Sequence, residues 1–173
     1  PKDLRATQNL TRKALFDILG QELADVRFLD LFSGSGAMGF EALSRGAEFV
    51  QMIEKDPQRY EIIHENASLL EIRSYIKSNQ RYDVFNMDAF AAIKFLADKN
   101  QRFHVIYIDP PYLSGLAKKA LKTLEAYDIL QPNYIIVVQH DMKEKLPEQH
   151  GSFFLSKQKK YGKTLLSFYG DVQ

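Results

Sequence analysis

Apolar residues along the chain follow two rhythms. Short runs at 27–32, 48–53, 82–86, 103–108, 134–139, 152–155 and 164–169 are dense in Val, Ile, Leu, Phe and Tyr. Longer stretches at 11–19, 36–45, 57–72, 89–98 and 116–127 space their apolar positions three and four apart. The first rhythm predicts strands and the second helices. Their alternation predicts an α/β fold with a mostly parallel sheet covered on both faces. Positions 105–108 and 135–138 are apolar without alternation, as in strands buried on both sides. Only a lysine-rich turn containing Gly162 separates the last two strands, which predicts an antiparallel hairpin at the end of a seven-stranded sheet.

At 173 residues the natural expectation is one domain spanning 1–173, burying roughly 70% of its unfolded surface. No internal repeat, low-complexity tract or linker interrupts it. With 45% hydrophobic and 26% charged residues the chain is neither disordered nor fibrous. The absence of cysteine excludes disulfides, thiolate zinc sites and a cysteine nucleophile, and suits a reducing compartment. The four histidines show no metal-ligand spacing, so no metal is expected. No apolar run approaches the ~18 residues of a membrane span, and no secretory signal opens the chain. A first residue of Pro rather than Met is what a processed or trimmed chain would show.

A net charge of +1 would ordinarily argue against a nucleic-acid partner, but it hides an asymmetry. Lys2, Arg5, Arg12 and Lys13 face only Asp3 at the start, and Lys157, Lys159, Lys160 and Lys163 have no acid among them. Basic ends flank an acidic middle. By itself a lysine-rich end is most simply a solvated surface.

The sharpest local signal is Asp30-Leu-Phe-Ser-Gly34-Ser-Gly36-Ala-Met-Gly39, a G-x-G-x-x-G spacing after a strand and at a helix start. Gly34 and Gly36 allow a tight turn and a close backbone approach to a ligand, and helix-start amides face that ligand. Glu54, at the end of the next strand, can accept both hydroxyls of a ribose. Strand, turn, helix and acid in this order predict a nucleoside-containing cofactor. Asp30 favours S-adenosylmethionine over a nicotinamide dinucleotide, because a carboxylate repels a pyrophosphate and attracts an ammonium. The second signal is Asp109-Pro110-Pro111-Tyr112, which ends the strand at 103–108. The proline pair stops the strand, removes two amide donors and leaves rigid carbonyls. At the C-terminal edge of a parallel sheet it sets a carboxylate, a fixed carbonyl and an aromatic ring beside the cofactor crevice.

Together the two motifs resemble the S-adenosylmethionine-dependent methyltransferases of exocyclic base amines. The stretch from Asp30 to Ala47 is similar, more narrowly, to the RsmD-type bacterial rRNA methyltransferases. Leu4-Arg5-Ala6-Thr7, the run from Ala14 to Leu19, and Lys160-Tyr161-Gly162-Lys163-Thr164 extend the likeness over nearly the whole chain. The chain departs from that family's pattern at Ala6, where a proline is usual, at Asn9 and Lys13, where acids are, and at Gln139, where a Glu is. The family's N-terminal basic hairpin would precede Pro1.

The resemblance implies a Rossmann-like class I methyltransferase fold and transfer to the N(2) amine of a guanine in small-subunit (16S) ribosomal RNA. It implies Asp109, Pro110, Pro111 and Tyr112 as catalytic residues. The cofactor would lie along Asp30, Phe32, Ser33, Gly34, Ser35 and Gly36, with Glu54 and Lys55 at its ribose and Asp88 and Ala89 at its adenine. Asp88 also suits an ordinary helix cap. RNA would be met by Lys2, Arg5, Arg12, Lys118, Lys122, Lys157, Lys159, Lys160 and Lys163. A cytoplasmic monomer acting on ribosomal RNA, within an assembling small subunit, is the corresponding expectation. The alternatives are an adenine-N(6) methyltransferase of DNA or RNA, a non-catalytic rRNA-binding assembly factor and a nicotinamide dehydrogenase. The last leaves the Asp-Pro-Pro-Tyr motif without a role.

Overall fold

The computed structural model describes residues 2–20, 22–70 and 81–170, with side chains from residue 9 onward. The described chain runs α1 (Lys2–Leu19), β1 (Arg27–Asp30), α2 (Ala37–Ser44), β2 (Phe49–Ile53), α3 (Pro57–Leu69) and β3 (Tyr82–Phe85). It continues through α4 (Ala89–Asp98), β4 (Phe103–Ile108), α5 (Leu116–Ala126), β5 (Leu130–Asp141), β6 (Gln149–His150), β7 (Phe153–Tyr161) and β8 (Thr164–Gly170).

One sheet has the order β3-β2-β1-β4-β5-β8-β7-β6. The first five of these are mutually parallel, and β8, β7 and β6 add in antiparallel fashion. The seven principal strands are those the sequence predicts, and the two-residue β6 adds an eighth at the edge. Two layers of side chains cover the sheet. Along β4, Ile106 and Ile108 pack under α4 and α5, while Val105 and Tyr107 face the layer of α1, α2 and α3. That two-sided burial is why β4 and β5 read as unbroken apolar runs.

Connections from β1 leave toward β2 on one side, whereas β4 lies on its other side. The chain therefore reverses its direction of travel across the sheet between β1 and β4, and a crevice opens at their carboxyl ends. Asp30 closes β1 in register with Tyr107 of β4. Asp109 follows β4 directly, so both carboxylates stand at this switch point.

Two boundaries in particular correct the sequence reading. The lysine-rich turn is far shorter than expected. Lys157, Lys159 and Lys160 belong to β7, paired with Phe168, Leu166 and Leu165 of β8, and the chain turns only at Gly162 and Lys163. Beyond Phe154 the outer edge of β7 is exposed, so its side chains lack the alternation that marks a half-buried strand. Helix α1 begins at Lys2, well ahead of the predicted residue 11, and packs on β7 and β8. The end of the helix predicted to residue 72 lies outside the described residues beyond Leu70.

Candidate active site at the sheet switch point

The glycine loop is built from its own backbone. The Ser33 hydroxyl donates to the Asp30 carbonyl at 3.0 Å and accepts from the Ile53 amide at 3.1 Å, tying the loop to β2. Gly36 caps α2 at φ 81°, and a Cβ there would meet the Phe40 ring at 2.7 Å. Gly34 also needs a left-handed backbone, φ 55°, but a Cβ would meet nothing within 4 Å. Its surroundings are open space beside the crevice, the cradle a ligand requires.

Glu54 is 7% exposed and held by two amides, Gly34 N–H to Oε2 and Asp56 N–H to Oε1, each 2.8 Å. Each carboxylate oxygen keeps a further lone pair for a pair of hydroxyls. Asn86 donates to the Glu54 and Lys55 carbonyls at 2.9 and 3.1 Å and fixes the end of β2 beside the end of β3. Asp88 caps α4: its Oδ1 accepts from Phe90 and Ala91 at 3.0 and 3.3 Å. Both bonds fall on one oxygen, so the capping role is real and the second oxygen is not consumed by it.

Asp30 is 1% exposed, and its Oδ1 accepts the Phe32 amide at 3.3 Å. Burial pushes its carboxyl up to about 8, with Asp109 and Glu54 adding like-charge repulsion. Burial likewise pushes Asp109 up to about 7, opposed by the Tyr107 hydroxyl close by. Three carboxylates thus converge on one crevice with two held at the edge of ionisation near neutral pH. Such a site favours a cationic guest. Pro110 is buried behind Asp109, whereas Pro111 and Tyr112 are exposed. The Tyr112 hydroxyl is anchored to Thr164 Oγ1 at 3.1 Å, leaving the ring 42% exposed at the mouth. Leu113 follows in a left-handed conformation, φ 56°, with its amide donating to Glu144 Oε2 at 3.3 Å.

The geometry thus brings Asp30, the loop from Phe32 to Gly36, Glu54 and Lys55 together with Asp88, Ala89 and the Asp-Pro-Pro-Tyr turn along one sheet edge. The basic residues divide. Arg12 lies on α1, which packs against the hairpin carrying Lys157, Lys159, Lys160 and Lys163. Lys157 and Lys159 stand opposite Phe168 and Leu166, which pack with α1, so they share its face with Arg12, whereas Lys160 points to the other face. Thr164, next to Lys163, touches Tyr112 and places the hairpin turn beside the crevice. Lys118 and Lys122 are exposed on α5, across the sheet from α1. The side chains of Lys2 and Arg5 lie outside the described residues. Sequence reasoning gave no role to Tyr107, Leu113 and Glu144, which carry no local motif, and met Gln139 and Thr164 only as positions of the family's pattern, without the contacts they make. Among the described residues no cluster of three His, Asp or Glu is arranged to hold a metal, and no helix is long and apolar enough to cross a membrane.

The profile of the family described as conserved hypothetical protein 95 matches residues 1–170. The Ribosomal RNA small subunit methyltransferase D of Escherichia coli strain K12 is 31% identical over 166 residues, which cover 96% of this chain and 79% of that protein. The protein of the same name from Haemophilus influenzae is 32% identical over 144 residues, 83% of this chain and 71% of its own. Among solved structures, a conserved hypothetical protein from Streptococcus pyogenes superposes with a TM-score of 0.81 at 28% identity, covering 93% of this chain and 95% of that one.

Proposed function

The chain belongs to the conserved hypothetical protein 95 family, the RsmD-type methyltransferases, and from that premise we propose that it methylates the exocyclic N(2) amine of a guanine in small-subunit ribosomal RNA, using S-adenosylmethionine. The observation that carries the reading is the meeting of Asp30 and Asp109 at the switch point. A cation-seeking cofactor pocket and an amine-accepting turn share one crevice there.

The cofactor supplies an electrophilic methyl on a sulfonium. Asp30 would attract its ammonium, directly or through water, beside the backbone of Phe32, Ser33, Gly34, Ser35 and Gly36. Glu54 would accept the ribose hydroxyls with Lys55 at its flank. Asp88 and Ala89 would meet the adenine edge. The exocyclic amine is a weak nucleophile because its lone pair is delocalised into the base. Accepting its two protons at the Asp109 carboxylate and the Pro110 carbonyl draws the nitrogen toward tetrahedral geometry and aims the lone pair. As the amine accepts the methyl, the ionised Asp109 would stabilise the positive charge that grows on its nitrogen, and one amine proton would then leave toward Asp109 or solvent. Positioning and electrostatics supply most of the acceleration. Pro111 locks the turn, and Tyr112 offers its exposed face to an unstacked base. Arg12 and the hairpin lysines support phosphate contact, with Lys2, Arg5, Lys118 and Lys122 as outlying contributors. The protein would act as a monomer in the cytoplasm, on RNA within an assembling small subunit.

The test is methylation of ribosomal RNA with labelled cofactor followed by nucleoside analysis. Labelled N(2)-methylguanine is the expected product, and N(6)-methyladenine alone would overturn the reading. Asp109→Ala should still bind S-adenosylmethionine in calorimetry while methyl transfer falls by about a hundredfold or more, the scale of a positioned acid–base group. Loss of binding in that variant would assign Asp109 to the fold instead. Since only ionised Asp109 offsets the charge growing on the nitrogen and can take its proton, kcat should rise with pH through an apparent pKa at or below about 7.

A further inference from the structure

We propose that Gln139 is the positioning residue of this site, holding Asp109 and Tyr112 in their working orientation from the neighbouring strand. The inference rests on the methyltransferase reading above. Gln139 stands on β5 one residue beyond Val138, which is in register with Ile108, so it lies alongside Asp109. It is 3% exposed, and every polar atom of its side chain is engaged. Oε1 accepts the Tyr107 hydroxyl at 2.9 Å. Nε2 donates to Asp109 Oδ2 at 3.3 Å and to the Tyr112 hydroxyl at 3.1 Å. The Tyr112 hydroxyl, accepting from Gln139, also pairs with the Thr164 hydroxyl at 3.1 Å.

A buried glutamine could be a core residue whose polar atoms merely find partners. Here both amide protons go to the two side chains that bear the chemistry, and the partners come from β4, the Asp-Pro-Pro-Tyr turn and β8. Engaging Oδ2 leaves Asp109 Oδ1 for the incoming amine. Tethering the Tyr112 hydroxyl sets the plane of the ring without covering its face. Donation by a neutral amide also favours the ionised form of Asp109. The other ionisable groups that bear on Asp109 and Tyr112 are acids or phenols: Asp30 from β1, Tyr107 from β4 and Asp141 from β5. His140, next in sequence, is turned away onto Ser167 Oγ at 2.8 Å. Where the family's pattern carries a Glu, this chain thus sets a neutral double donor and lays no further negative charge beside Asp109. A carboxylate there would add repulsion and donate nothing.

The experiment compares wild type with Gln139→Met, similar in length without the amide, with Gln139→Glu, and with Tyr107→Phe. Methyl transfer to ribosomal RNA is measured across pH, with S-adenosylmethionine affinity by calorimetry. Gln139→Met should lose about tenfold or more in kcat at pH 7, the cost of a loosened catalytic group, with cofactor affinity within about threefold of wild type. The acid limb of its kcat profile should move to higher pH, and that of Gln139→Glu further still. A kcat within twofold of wild type and an unmoved acid limb would overturn the proposal. So would an equal loss of cofactor affinity, which marks a purely structural role. Should Gln139→Met fail to fold, Gln139→Leu carries the test: its acid limb should move to higher pH, and should do so again in the Tyr107→Phe background, where the phenol's own effect on Asp109 is already gone; an unmoved limb overturns the proposal. If wild type itself does not methylate ribosomal RNA, the function reading falls separately. Gln139 is then judged in the ligand-free protein by carbon-13 titration of Asp109, whose pKa should be higher in Gln139→Met, or, if that variant does not fold, in Gln139→Leu; an unchanged value would sink the idea.

Discussion

At the scale of single residues, Asp30 carries the most unusual chemistry in the described chain. It is buried at the end of β1, and its carboxyl rises to about 8 from an ordinary 3.8. Between those values the folded protein holds a proton that the unfolded chain releases. Raising pH through this window therefore removes stability. Asn at this position keeps an acceptor for the Phe32 amide but cannot titrate. The thermal midpoint of ligand-free wild type should fall, relative to Asp30→Asn, as pH rises from 5 to 8. Equal slopes for the two proteins would refute the assignment. The same proton gives a binding signature. An ammonium placed beside Asp30 stabilises its charged form, so cofactor binding near pH 7 should expel up to one proton. Calorimetry in two buffers of different ionisation enthalpy reads that release, and Asp30→Asn should abolish it.

At the scale of elements, the glycine motif divides into positions with different physical reasons. Gly39 lies inside α2, where a Cβ would meet Met52 Sδ at 2.6 Å and Val50 Cγ1 at 3.1 Å; it exists so that helix and strand can touch. A Cβ on Gly34 would meet nothing within 4 Å, so this glycine exists for its φ and for the open crevice. Gly39→Ala should cost about 1–3 kcal/mol by overpacking, lowering the thermal midpoint by roughly 2–10 °C with cofactor affinity changed little. Gly34→Ala should do the reverse, weakening cofactor binding far more than it lowers the midpoint. Similar ratios of the two effects would show that the glycines act alike. The order of strands and helices was legible in the sequence because burial on both faces leaves unbroken apolar runs. The second half of β7 was not, since Lys157, Lys159 and Lys160 face solvent and look like a turn. Lysines on an exposed edge also discourage strand-to-strand association. The hydrogen bonds of Gln139 were equally hidden. Its partners Tyr107, Asp109 and Tyr112 are 32, 30 and 27 residues away, and only the parallel pairing of β4 with β5 brings them together.

For the whole molecule, folding converts a charge pattern along the chain into one in space. The two basic segments lie more than a hundred residues apart, yet α1 packs on β7 and β8, so Arg12 shares a face with Lys157 and Lys159, with Lys163 at the hairpin turn and Lys160 on the other face. The net charge of +1 gives no hint of this. Because Thr164 is tied to Tyr112, the basic turn reaches the mouth where a base would enter. An RNA backbone crossing α1 and the hairpin would then deliver a splayed base to the crevice. Affinity drawn from such contacts falls linearly with the logarithm of salt, by about 0.7–0.9 per phosphate neutralised. Reversing Lys159, Lys160 and Lys163 to Glu should reduce that slope by about two to three and weaken RNA binding at low salt. Cofactor affinity and thermal midpoint should hold, because all three side chains are exposed. The double reversal Lys118→Glu, Lys122→Glu on α5, across the sheet, should change the slope by less than about one. If instead the α5 pair dominates and the hairpin lysines are silent, the RNA lies over the other face of the sheet, and the lysines of β7 serve only to protect its edge.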